Sequence, residues 1–133
     1  MSALDDLRSA RYRRIESDYY SERLVRLQSA AEGLNAQLAT GDVDIWNLPH
    51  SMQSLADTIM DLGARVSLSI VECEQHTVRA EKALDGLTEP QRMIMRLRFV
   101  RAMRWEQVAD EMHLSVRQCH RIYDSAVKKL SRT

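Results

Sequence analysis

Apolar residues recur along this chain at helical spacing. Leu24, Leu27, Ala31, Leu34 and Leu38 are spaced 3, 4, 3, 4, which lays one stripe along a helix. Leu4, Leu7, Tyr12, Ile15 and Tyr19 or Tyr20 carry the stripe upstream less regularly. Thr40-Gly41-Asp42 stops it, with Gly41 suited to a left-handed cap. Residues 41–50 have no helical period and contain Pro49, so they read as a loop. Ile45, Trp46 and Leu48 are expected to tuck onto the helices, while Asp42 and Asp44, near His50, read as a solvated turn. Ser51 is the candidate cap of a second helix. Its stripe is Leu55, Ile59, Leu62, Val66, Ser69 or Ile70, Cys73, Thr77, Ala80 and Leu84. That helix would run about 35 residues, or about 50 Å. One amphipathic helix cannot bury its own stripe, so folding back on the first as an antiparallel hairpin is the simplest solution. Two helices make a thin core, which points to pairing with a further copy.

Asp85-Gly86-Leu87-Thr88 marks a boundary. Thr88 opens a new helix with Pro90 in its first turn and Gln91 three residues on, a capping-box pattern. Three short helices follow, at about 89–101, 105–112 and 116–130. Their inward faces are Ile94, Leu97 and Val100; Trp105, Val108, Ala109 and Met112; and Cys119, Ile122, Tyr123, Ala126 and Leu130. The last two have helix-turn-helix spacing across His113-Leu114-Ser115. Ala109 is small where two helices must approach, Leu114 plugs the turn and Ser115 caps the last helix. Arg117, Gln118 and Arg121 then face outward, with the two arginines four apart on one side. Arginine can donate two hydrogen bonds to guanine O6 and N7. Lys128, Lys129 and Arg132 suit phosphate contacts, and His120 is a neighbour to phosphate or base. The expected fold is all-α: a long antiparallel helical hairpin, a coiled coil, over residues 1–86, then a three-helix DNA-binding domain over 87–133.

Charge strengthens this division. The 133 residues carry 19 Lys and Arg against 19 Asp and Glu, which at first argues against nucleic acid. The halves differ: residues 1–85 hold 9 basic and 14 acidic side chains, residues 86–133 hold 10 and 5. The basic half is the one built as a helix-turn-helix. No apolar run approaches the length of a membrane span, and the first residues lack the basic head and apolar run of a secretory signal. Cys73 and Cys119 lie far apart without a CxxC, which suits a reduced, cytoplasmic setting. Cys73 and His76 share a helical turn, but two ligands do not make a zinc site. No nucleophile, base and acid can be placed together, and no phosphate loop is present, so neither an enzyme nor a cofactor is expected. Met93, Met95, Met103 and Met112 read as core filler, and Trp105 as packing against the last helix.

Leu87-Thr88-Glu89-Pro90-Gln91, Leu97-Arg98-Phe99, Trp105-Glu106-Gln107-Val108-Ala109, Leu114-Ser115 and Ala126-Val127-Lys128-Lys129-Leu130 together resemble the C-terminal promoter-recognition domain of bacterial sigma factors. Adding the hairpin and Asn47-Leu48-Pro49-His50, the whole chain resembles the RinA/ArpU-type phage regulators, small activators of late genes. The resemblance implies reading of a −35-type element in the major groove by Val116, Arg117 and Arg121. Two residues depart from the sigma pattern: Val116 stands where a basic side chain is frequent, and His113 where glycine is usual. The larger sigma module that binds core polymerase and melts the −10 element has no counterpart here. The implied partners are double-stranded DNA, host RNA polymerase and further copies of the chain, a dimer foremost, on the nucleoid of a bacterial cell. Two rivals stand beside this reading: a sigma mimic that docks on polymerase without reading DNA, and a small terminase subunit.

Overall fold

The computed structural model describes residues 2–41 and 48–132, without the side chains of 48–52. The described residues are all helical in architecture. Helix α1 is Ala3–Thr40, α2 is Leu48–Ala83, α3 is Glu89–Met95, α4 is Trp105–Met112 and α5 is Val116–Ser131. A π-helical turn, Arg96–Val100, continues α3. Contacts group the chain into two compact units, Met1–Glu16 with Val71–Thr133, and Ser17–Ile70.

The first unit holds most of the core. Leu7 and Ala10 of α1, Ala80 and Leu84 of α2, then Leu87, Met95, Phe99, Ala126 and Leu130 form one buried cluster. Ile94, Leu97, Val108, Ala109 and Cys119 form another, with Trp105, Met112, Leu114 and Ile122 packed on it. The sequence places a border between residues 86 and 87. In the structure that point lies inside this unit, because Leu84 and Leu87 on either side of Gly86 enter the same cluster. Polar ties add to the apolar ones. Arg13 pairs with Glu72 at 3.1 Å, joining α1 to α2. Arg96 forks onto Glu81, with Nε to Oε1 at 2.9 Å and Nη2 to Oε2 at 3.0 Å. Arg11 reaches across to donate to the carbonyls of Arg98 at 2.8 Å and Met103 at 3.2 Å.

The expected helix over 89–101 needs correction. Thr88 caps it as expected, accepting from the Gln91 N–H while Gln91 Oε1 accepts from the Thr88 N–H at 3.1 Å. Regular α-helix stops at Met95, and the Arg101 N–H reaches back five residues to the Arg96 carbonyl at 3.0 Å. Met95 and Phe99 enter the first cluster while Ile94 and Leu97 enter the second, so one short segment feeds two cores. Ala102 then takes a left-handed φ of 55° on the way into α4. Gln91 also donates to Ser125 Oγ at 3.0 Å, which ties α3 to α5.

The Ser17–Ile70 unit consists of the remaining turns of α1 and α2. Tyr20 of α1 meets Arg65 of α2, and further along Ala31 and Leu34 line one groove with Leu55, Ala56 and Ile59, so the helices run antiparallel. Leu62 is buried, as are Ser17 and Ser69, whereas Leu24, Leu27, Leu34, Leu38, Leu55 and Ile59 stay half-buried. Arg65 lies 5.2 Å over the ring of Tyr20. Gly41 takes φ 77° at the end of α1, as its position predicts. The loop expected over 41–50 is shorter than expected, because Leu48, Pro49 and His50 are already helical and Ser51 is inside α2 rather than its cap. Proline fits a first helical turn, where an N–H has no partner to lose. The expectations for Asp42, Asp44, Ile45 and Trp46 lie outside the described residues. No helix among the described residues is long and apolar enough to cross a membrane.

Candidate nucleic-acid interface

The sequence of α4, its turn and α5 sets up the geometry residue by residue. Val108 and Ala109 are the buried side of α4, and Ala109 lets Cys119 of α5 come close. His113 ends α4 in the left-handed region, φ 56° and ψ 39°, the conformation the turn requires of its first residue. The Leu114 N–H donates to the Ala109 carbonyl at 3.1 Å, and the leucine side chain packs on the second cluster. Ser115 then caps α5: its Oγ accepts from the Gln118 N–H at 3.1 Å. Gln118 Oε1 accepts in return from the Ser115 N–H at 2.9 Å. The start of α5 is thereby fixed at both ends of one turn.

This arrangement sorts the expected contact residues. Arg117 and Arg121 are exposed, four apart on α5, and neither pairs with a described residue. Both guanidinium forks are open to a planar acceptor. Gln118 is exposed too, but its amide oxygen is held by the cap, so it positions the helix. Val116 is half-buried against the second cluster, and only part of it faces out. His120 is exposed and stands edge-on to Trp105, ring centres 4.5 Å apart. Trp105 also meets Tyr123 at 5.1 Å and carries the Arg98 guanidinium 4.9 Å over its ring. It is the packing residue its spacing predicts. Lys128, Lys129 and Arg132 are exposed around the last turn of α5, where their charge also suits the helix dipole. Cys119 is fully buried, and burial pushes its thiol above the ordinary cysteine range, so it serves as a small packing group.

Two residues of this surface escape the sequence reading. Arg101 and Arg104 are exposed beside the N-terminus of α4, and their guanidinium groups pair with no described residue, while the Arg104 N–H donates to Gln107 Oε1 at 3.0 Å. The signal for them is the run of arginines at 96, 98, 101 and 104. Pattern alone does not show which of these turn inward. Arg96 goes to Glu81, and Arg98 goes to the Met103 carbonyl and Trp105.

Residues 83–132 match the protein family described as Sigma-70, region 4. The C-terminal segment is thus a sigma-region-4-like helix-turn-helix, a DNA-binding design compatible with a transcriptional regulator. No curated protein and no solved structure matched the chain. Within the sigma-region-4-like segment, the turn keeps its shape although His113 replaces the glycine usual in sigma factors. Histidine is among the residues that enter the left-handed region with least strain.

Proposed function

We propose that this protein is a sequence-specific transcriptional regulator that lays α5 in the major groove of double-stranded DNA. One observation carries the reading: Arg117 and Arg121 stand open and unpaired on the outward side of a helix whose first turn is fixed by its cap. Lys128, Lys129 and Arg132 supply phosphate contacts at one end of α5, and Arg101 and Arg104 supply them from the start of α4. The resemblance of the whole chain extends this to a phage- or prophage-encoded activator of late genes, of the RinA/ArpU type, acting on a bacterial nucleoid. It binds as a homo-oligomer, a dimer foremost, and has neither catalytic activity nor a cofactor.

Gel shifts and footprints on fragments of the source genome test this, with wild type beside Arg117→Ala/Arg121→Ala. A discrete footprint is expected, lost in the double variant. With four or five phosphates neutralised, log affinity falls against log salt with a slope of about −4. Uniform weak binding that the double variant leaves unchanged would overturn base reading.

A second reading has its own observation. Glu106, Asp110 and Glu111 make the exposed side of α4 acidic, a surface that DNA repels and a basic protein surface attracts. This supports direct contact with RNA polymerase beside DNA reading, or in its place. Cross-linking to polymerase that Glu106→Lys/Asp110→Lys abolishes is the expected outcome. Cross-linking unchanged by these reversals would exclude that face.

A further inference from the structure

One carboxylate stands in the basic stripe of α5. Arg117, Arg121, Asp124 and Lys128 are spaced 4, 3, 4, so they share one side of the helix. Cys119, Ala126 and Leu130 are buried on the other side. Asp124 is the only acidic residue between Val116 and Ser131. It is exposed, and its carboxylate pairs with no described residue, although Arg121 lies three residues before it and Lys128 four after. The backbone that carries it is held on both sides. Tyr123 meets Trp105 at 5.1 Å and stacks on Phe99 at 6.2 Å, and Ser125 Oγ accepts from Gln91 at 3.0 Å. Asp124 therefore presents a short charged group from a fixed position.

We propose that Asp124 determines base preference on the DNA-binding face by accepting a hydrogen bond from the N4 amine of a cytosine. This rests on the DNA reading above. A carboxylate brought against phosphate is repelled, so a helix that bound phosphate alone would gain nothing from an acid within its basic stripe. In the major groove, guanine offers only acceptors, and so does thymine beside its methyl group. Adenine offers an amine next to the N7 acceptor, which repels the second carboxylate oxygen. Cytosine offers the amine by itself, and it is the base edge that suits an aspartate. Three residues along α5 advance about 4.5 Å, against about 3.4 Å for one base pair. The cytosine is accordingly expected at the pair next to the one that Arg121 reads. Where guanine or thymine faces it, the carboxylate is left among acceptors and phosphates, so the same residue selects for one sequence and against others.

Selection from random-sequence duplexes with the full chain, followed by competition gel shifts at one fixed salt concentration, tests this. Wild type is expected to enrich a cytosine at one position of its site. In Asp124→Ala, discrimination between cytosine and guanine at that position should fall about tenfold, with the other positions unchanged. Asp124→Asn should move the preference there to adenine, whose N6 and N7 an asparagine amide matches. Asp124 is exposed, so circular dichroism should show unchanged helicity in both variants. An equal gain in affinity of Asp124→Ala for every duplex would overturn the proposal, because the carboxylate would then only repel. A base preference that Asp124→Ala leaves intact would overturn it too, while the DNA reading stands. A wild type that enriches no sequence sinks the DNA reading and this inference together.

Discussion

At the scale of single residues, the guanidinium groups of Arg117 and Arg121, like those of Arg101 and Arg104, hold nothing within the described structure. Arg96 is spent on Glu81 and Arg11 on two carbonyls, and removing either would disturb packing before it disturbed binding. Arg117→Ala or Arg121→Ala should therefore leave melting unchanged and weaken binding to the cognate site by about 1–3 kcal/mol, with relaxed preference at one base pair. Competition gel shifts against single-base variants of the footprinted site measure both effects. The Glu81–Arg96 fork makes a pH prediction. The Arg96 guanidinium holds the Glu81 carboxyl below its ordinary value near 4.5, with burial opposing. A carboxyl with a lowered folded value stabilises above its unfolded value and loses that contribution as pH falls through the folded one. Both side chains are about one-third exposed, at 36% and 37%, so solvent screening limits the contribution to below about 1 kcal/mol. Melting followed from pH 7 to pH 3 should fall less in Glu81→Gln than in wild type. The exposed arginines and the last-turn lysines were legible in the sequence because they obey a helical period. The role of Gln118 was legible in principle, since Ser115-x-x-Gln118 is a capping-box pattern. The cap uses only the amide oxygen of Gln118, and its NH2 group remains on the exposed face.

At the scale of elements, the sequence reading succeeds at three chemically marked boundaries and fails at Ser51, which lies inside α2 instead of capping it. Thr88, Ser115 and Gly41 announce their turns chemically. The π-helical turn has no such mark. Apolar residues at 94, 95, 97, 99 and 100 fit a regular helix as well, so nothing in the pattern sets the wider turn apart. Likewise Pro49 reads as a breaker until the helix is seen to begin one residue before it. The turn between α4 and α5 offers a direct test. His113 holds a left-handed φ of 56°. His113→Gly should raise stability by about 0.5 kcal/mol, whereas the β-branched His113→Val should lower it by more than about 1 kcal/mol. Thermal melts of the full chain check both signs. Chemical denaturation of Ser115→Ala should show a loss of about 1 kcal/mol, the usual cost of an N-cap.

At the scale of the whole molecule, the sigma-region-4-like segment does not own its core. Leu7 and Ala10, from the first turns of α1, are fully buried among residues of α2, the π-helical turn and α5. Arg11 donates to carbonyls 87 and 92 residues away. No periodicity reveals such ties, because a stripe shows that a face is buried but never against what. A fragment of residues 83–132 should accordingly melt without cooperativity, while the full chain melts in a single sharp step for this unit. Leu7→Ala should cost about 2–5 kcal/mol, although it lies far from α5 in sequence. Calorimetry of the fragment beside the full chain decides the matter, and an equally sharp fragment transition would show that α1 is dispensable.

The shared cluster has a consequence in time as well as in space. Leu7 leaves the ribosome more than a hundred residues ahead of Leu130, yet both belong to one cluster. The helical pair can form early from local contacts, but its base must wait, with Leu7, Ala80 and Leu84 uncovered, until α5 has been made. A nascent chain halted before α5 should thus be sensitive to protease at the start of α1, and become resistant only when the recognition helix arrives to close it. The capacity to contact DNA and the completion of the fold would then come into being in the same step.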